Sequence, residues 1–430
     1  MSKTDFNTII ELLKSEVVPA IGCTEPVAVA LCTAKAKEIL NETPDKISVY
    51  LSANILKNAM GVGIPGTGGM IGLPIAVALG ALIGKSEYEL QVLKDVSSEA
   101  VEKGKAMIDA KLIDVHLKEN IDEKLYIEVK CCAGSNEAVA IIAGSHTGFV
   151  YLSKNSEILL NSINHSSAQK EEKNCIHLTL RTVYDFAMTA PIEDISFVLE
   201  SANINSAAAE QSFKADFGHT FGRLLNKPAG NRIMGESIFT DILSHTSAAC
   251  DARMAGALIT VISNSGSGNQ GIAASLPVAV FARKNGNSEE ELIRALTLSH
   301  LTVIHIKQYL GRLSALCGCV IAATGSSCGI VHLMGGGYRE VTYAVKNMIG
   351  NLTGMICDGA KPSCSLKVAS GVATAVFSAM LAMEQKYVTS VEGIIEDDVD
   401  KSIQNLVRIG AAGMQETDCM ILDIMTHKSS

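Results

Sequence analysis

The sequence has no tryptophan, no run of Lys and Arg, and few charged residues, 19% of 430. Each shortage narrows the reading. With a net charge of −9 and no basic run, no broad nucleic-acid-binding surface is expected. The start, Met1-Ser2-Lys3-Thr4-Asp5, lacks the apolar stretch of a signal peptide. A cytoplasmic protein is expected, and its twelve Cys read as reduced thiols, metal ligands or catalytic groups rather than disulfides. Hydrophobic residues make up 47%, which is a globular composition and not a disordered one.

Long Leu/Ile/Phe runs are also scarce. Three windows, 61–84, 254–282 and 313–338, lack Asp, Glu, Lys and Arg and are long enough to span a bilayer. Each is broken by clusters such as Gly66-Thr67-Gly68-Gly69 or Asn264-Ser265-Gly266-Ser267-Gly268-Asn269. Discontinuous transporter helices share that pattern. A tightly packed interior, in which small residues let backbone approach a small ligand, fits it better, and no membrane partner is expected.

What is present is cysteine among Gly, Ser and Ala. Cys317, Cys357 and Cys364 are separated by thirty-nine and six residues, and the last two share a Gly- and Pro-containing loop. Three thiolates on one point can hold a metal or an iron–sulfur cluster, and three ligands on four irons leave one iron open. Cys319 and Cys328 are rival ligands; on a helix Cys317 and Cys319 point to different sides, so only one would reach the cluster.

Taken in order, 4–18 reads as an amphipathic helix ended by Pro19. Ile21-Gly22-Cys23-Thr24-Glu25-Pro26 then opens a second helix, with Pro26 at its first position. Cys23 stands just outside that N-terminus, where the helix dipole favours a thiolate; the plainer reading is a buried thiol beside a turn. Cys32 reads as core. Residues 47–55 alternate as a half-buried strand, and 125–131, 138–143 and 149–152 form a β-meander. His146 reads as a solvated turn residue, 161–174 as a polar surface connection, and 175–180 as a further strand. Ser86 and Ser288 each open a capping box. His300 and His305, five apart, read as packed or hydrogen-bonded rather than joint ligands. Helices dominate after 185. The fold class is α+β: a mostly helical catalytic core with a small antiparallel sheet in the N-terminal half. One catalytic unit is expected, with an α+β part over 1–185 and a cluster-binding part over 186–430.

Three segments carry a family resemblance: Ile21 to Pro26, Gly311-Arg312-Leu313-Ser314-Ala315-Leu316-Cys317-Gly318, and Cys357-Asp358-Gly359-Ala360-Lys361 through Cys364. They resemble the L-cysteine desulfidase family, which is related to the α-chain of iron–sulfur L-serine dehydratases. The resemblance spans nearly the whole chain. It implies an oxygen-sensitive [4Fe–4S] cluster on Cys317, Cys357 and Cys364, with Cys23 as base. It implies a lyase that converts L-cysteine to sulfide, ammonia and pyruvate without pyridoxal phosphate. The tail departs from the related dehydratases, which end in a Cys; this chain ends His427-Lys428-Ser429-Ser430.

Elimination needs a base at the α-proton and a Lewis acid for the leaving group. Candidates to bind the substrate are Asn58, Gly66, Thr67, Ser265, Gly266, Ser267 and Asn269, through backbone N–H groups or side chains; structural turns explain the glycines equally well. Lys361 either binds the carboxylate or steadies the ligand loop. Glu25 either meets the substrate ammonium or favours the helix N-terminus. An L-serine or L-threonine dehydratase with the same cluster is the nearest rival, and an iron–sulfur sensor or electron carrier is a rival of another class. A homodimer is expected.

Overall fold

The computed structural model describes residues 3–119, 121, 123–162, 176–311 and 314–427. It is a mostly helical α+β protein with one six-stranded sheet in the N-terminal half and a two-stranded ribbon. Strand β1 (Pro19–Ile21) belongs to the ribbon. The sheet uses β2 (Lys46–Leu51), β3 (Ile113–Leu117), β4 (Tyr126–Ala133), β5 (Asn136–Ala143), β6 (Phe149–Lys154) and β7 (Glu157–Asn161). Its order is β3-β2-β4-β5-β6-β7. The pairs are antiparallel except β2 with β3, which is parallel.

Alternation sets this sheet. Ile47, Val49 and Leu51 are buried, and they pair with Cys131, Val129 and Ile127, which point the same way. Their face packs on the helix Thr24–Leu40, buried nearly all round. Cys32 lies in that layer as core, its thiol donating to the Ala140 carbonyl at 3.2 Å.

The helical half surrounds Gly318–Leu333, a helix that packs against Gly268–Asn285, Glu289–Leu310, Tyr338–Leu352 and Cys364–Met383. Gly, Ser and Thr make this central helix a weak helix former. Burial of its Val320, Ile321, Ile330 and Val331 supplies what propensity does not, roughly 1.5–3 kcal/mol for each large aliphatic side chain.

The meander and the buried strand stand as expected, with altered ends. The alternation over 47–55 does not continue as strand: Ser52 closes the ladder by donating its N–H to Tyr126 O and precedes a helix, Ala53–Ala59. Strands β3 and β7 were not foreseen. The first mixes Asp114 and His116 into its alternation, and both strands form sheet edges. Residues 176–179 are not strand; Thr179 caps the helix Leu180–Thr189 with its hydroxyl, and Cys175 with most of the polar connection lies outside the described residues. The Ser288 capping box forms, Glu291 Oε2 accepting from the Ser288 N–H at 2.7 Å. The one at Ser86 does not: its N–H and hydroxyl donate to Glu38, and only a short 3₁₀ turn follows. Among the described residues one helix, Cys364–Met383, is long and apolar enough to cross a membrane, and just over half of it is buried in the fold.

Candidate active site

Strand β1 pairs antiparallel with β8 (Thr260–Ile262). That pairing brings the Cys23 turn onto the Gly- and Ser-rich turn after β8. Thr24 Oγ1 then donates to the Gly266 carbonyl at 2.8 Å. Four helices begin at the resulting cavity of about 90 Å³. Cys23 precedes Thr24–Leu40, Ser267 precedes Gly268–Asn285, Cys317 precedes Gly318–Leu333, and Cys364 starts the fourth. None of the four has a side-chain cap on its first N–H groups. Four positive helix ends around one small space favour anions there, whether thiolates, a cluster carrying them or a carboxylate.

The cavity wall holds Cys23, Glu25, Asn58, Ser267, Asn269, Cys317, Cys357 and Cys364 together. Cys317 and Cys357, far apart in sequence, are joined by a short antiparallel bridge at Leu316 and Ile356. The Cys317 N–H donates to Met355 O at 2.9 Å and the Cys357 N–H to Ala315 O at 2.7 Å. The Cys364 thiol donates to Gly359 O at 3.6 Å. Gly359 has φ +87°, and a Cβ there would lie 2.4 Å from the Lys57 carbonyl oxygen. Glycine is therefore demanded twice, by conformation and by space. Gly359→Ala is expected to cost about 2–4 kcal/mol, read as a lower thermal midpoint and weaker iron retention.

Lys361 lies outside the cavity wall. Its ammonium pairs with the Asp358 carboxylate, as does Lys367, and it also donates to Asp358 O at 2.9 Å. It steadies the loop that carries Cys357 and Cys364. Together the two lysines hold the Asp358 carboxyl down at about 2, against the upward pull of its partial burial.

Cys319 differs from expectation. Because Cys317 is the residue before the helix and not part of it, both thiols reach the cavity wall. The Cys319 thiol donates to the Cys317 sulfur, which holds the Cys317 thiol at about 7, and Cys319 itself is pushed well above its ordinary value. Cys328 is buried within the helix, donates to Thr324 O at 3.3 Å and does not reach the wall.

The donor set fits an iron–sulfur cluster. Five thiols line one cavity, Cys317, Cys357 and Cys364 among them, while no group of three His, Cys, Asp or Glu among the described residues is placed to hold a single metal ion. A multi-iron cluster spaces its thiolates more widely than one ion does. Lys57 and Lys367 lie close enough to lower the Cys357 thiol, which burial otherwise raises, so thiolate charge has cationic support.

Cys23 is 2% exposed and its thiol donates to Glu25 Oε2 at 3.0 Å. Burial, followed by the Glu25 carboxylate, pushes the thiol well above its ordinary value, although Arg253 pulls the other way. The helix dipole therefore does not leave a standing thiolate there. Glu25 also accepts from Asn58 Nδ2 at 3.1 Å, and its Oε2 competes with the Gly266 carbonyl for the single Thr24 hydroxyl proton at 2.9 Å. Burial opposes its charge, but His146 and the Cys23 hydrogen bond hold its carboxyl below the usual value. His146 is thus not a solvated turn residue: it is 4% exposed and close enough to act on Glu25.

The other candidates lie elsewhere. Thr67 closes a turn, donating to Ile64 O and accepting from the Met70 N–H. Gly66 lines a separate cleft of about 590 Å³ beside Gly256. Ser265 bonds to Asn264 Oδ1, and the Gly266 carbonyl is taken by Thr24. His300 bonds to Asn264 and Ser201, and His305 to Asp400, as expected of packed histidines. The cleft beside Gly256 has no cysteine in its wall, and a larger one of about 980 Å³ has only the exposed Cys419.

Sequence reasoning missed Arg253 and Gln270, which also line the cysteine cavity. The trace of Arg253 was available: Asp251 and Arg253 are the only Asp, Glu, Lys or Arg between 242 and 282. Gln270 carries no comparable mark.

The family described as serine dehydratase alpha chain matches residues 87–423. Relatives that match end to end include proteins named UPF0597. One from Bacteroides fragilis is 67% identical over 428 residues, covering 100% of both chains. One from Porphyromonas gingivalis is 54% identical over 433 residues, and one from Oleidesulfovibrio alaskensis 45% over 428, again covering 100% of each chain.

Proposed function

The chain belongs to the serine dehydratase α-chain family, a family of lyase-type enzymes associated with iron–sulfur chemistry, and from that premise we propose an iron–sulfur-dependent L-cysteine desulfidase. It degrades L-cysteine to sulfide, ammonia and pyruvate without pyridoxal phosphate. One observation carries the reading: Cys23 and the thiols of Cys317, Cys357 and Cys364 line the same small cavity. When bound, the cluster supplies a soft Lewis acid for the departing sulfur.

The chain's own groups do the rest. Glu25 accepts the Cys23 proton along their existing hydrogen bond. The Cys23 sulfur then takes the α-proton of the substrate. The Cβ–S bond breaks with its electron pair going to sulfur, and a Cα–Cβ double bond forms. The resulting aminoacrylate tautomerises to an imine, which water hydrolyses to pyruvate and ammonia. The tight cavity wall limits bulk water at the reacting carbon. The setting is a cytoplasmic homodimer acting on a free small molecule, with no nucleic-acid or membrane partner.

The family description favours a second reading, an L-serine dehydratase. The same base would serve, with hydroxide in place of hydrosulfide. Side-by-side turnover of L-cysteine and L-serine by anaerobically purified protein separates them. The desulfidase reading expects sulfide release to exceed serine-derived pyruvate by at least about tenfold in kcat/KM. A preference for serine would transfer the assignment to the dehydratase.

A further inference from the structure

We propose that the cavity carries a preformed site for the head group of a free α-amino acid. Arg253 takes the carboxylate, and the side-chain oxygens of Asn58 and Gln270 take the ammonium. This deepens, and rests on, the reading of the chain as an amino-acid lyase.

Arg253 is 2% exposed and stands in the cavity wall. Its Nη1 donates to the neutral amide of Asn269 at 2.9 Å rather than to a carboxylate. Its Nε–H is buried and has no partner among the described residues. Room for this guanidinium depends on Gly268, where a Cβ would lie 2.3 Å from Nε. The arginine is thus held at the N-terminus of the helix Gly268–Asn285, and the helix dipole adds to its own charge.

Two acceptors in the same wall are also buried and unpartnered. Asn58 spends its Nδ2 donor on Glu25, which fixes Oδ1 as the free atom. Gln270, 4% exposed, has Oε1 without a partner. Unpaired buried polar atoms are costly and uncommon. Here the Arg253 guanidinium and two neutral carbonyl acceptors stand in one wall beside Cys23, a wall that Glu25 and Lys307 also share. A guanidinium matches a carboxylate, and carbonyl oxygens match an ammonium that has only donors to offer. The set is complementary to a zwitterion.

L-alanine tests the site, because it has the head group but no leaving group. Its binding to the anaerobic holoenzyme is compared by calorimetry with that of L-alaninamide, which lacks the carboxylate, and propionate, which lacks the ammonium. The wild type is expected to favour L-alanine over each by about tenfold or more. Arg253→Gln is expected to bring L-alanine and L-alaninamide within about threefold while leaving the preference over propionate. Arg253→Lys should fall between. Iron content and helical circular dichroism of each variant are checked against wild type. A wild type that ignores L-alanine, leaving water as the occupant, overturns the site. So does an intact Arg253→Gln that keeps the full preference. L-alanine binding without turnover of L-cysteine or L-serine would instead defeat the lyase reading and leave the site standing.

Discussion

Cys23→Ala is expected to lower kcat about 10³-fold while iron content and colour stay at the wild-type level. The Cys23 thiol lies beside the cluster-ligand candidates but is not counted among them, and its bond is to Glu25. Its removal takes away the acceptor for the α-proton and leaves the Cys317, Cys357 and Cys364 wall intact. Cys23→Ser should be nearly as inactive, because a hydroxyl is a far weaker acid than a thiol and yields its proton to Glu25 less readily. Burial and the neighbouring carboxylate both oppose ionisation of this thiol, with Arg253 pulling the other way. Glu25, whose carboxyl is held below its usual value and stays ionised through the neutral range, is the acceptor in contact with that thiol; a carboxylate so stabilised is a weak base, so the reactive thiolate forms as a minor species. Iron analysis beside steady-state kinetics checks the prediction. Normal turnover in Cys23→Ala removes Cys23 from the role of base.

Alanine at Cys317, Cys357 or Cys364 is expected to abolish both the brown colour and the activity. Iron should fall from about four atoms per chain toward none. The bridge that pairs 315–317 with 355–357 holds two of these thiols, and the Gly359 turn presents the third. Loss of one sulfur leaves only two ligands on the cluster. Cys319→Ala should keep the cluster. Its thiol reaches the wall as a hydrogen-bond donor to Cys317, and Cys317 retains its backbone anchorage to Met355 without it. Iron and labile sulfide measured on anaerobically purified variants decide the matter. A colourless Cys319→Ala beside a brown Cys317→Ala would reverse the two assignments.

Much of the site was legible because its residues carry local marks. Cys23 before Thr24-Glu25-Pro26 reads as the edge of a helix from composition alone, and the structure has that helix. The meander was legible through strict alternation. Long-range pairing was not. Nothing local indicates that Pro19–Ile21 pairs with Thr260–Ile262, yet that ribbon is what brings Cys23 to Ser267. His146 was misread for the same reason: a turn looks exposed until a packed neighbour such as Glu25 is known. Cys319 was set aside by helical geometry that begins one residue later than assumed. The glycine turns divided. The one at Ser267 opens onto the cavity, while Gly66 and Thr67 close a turn elsewhere. Composition is the same in both, and only the partner surface differs.

The central claim is that an amino-acid substrate meets an iron held by Cys317, Cys357 and Cys364. Its most direct test is absorption and Mössbauer spectroscopy of the anaerobically purified protein, with and without L-cysteine. The account predicts a brown protein in which L-cysteine shifts the signal of one iron and leaves the rest little changed. An iron-free protein that still releases sulfide, or a cluster whose spectrum ignores L-cysteine, would contradict it.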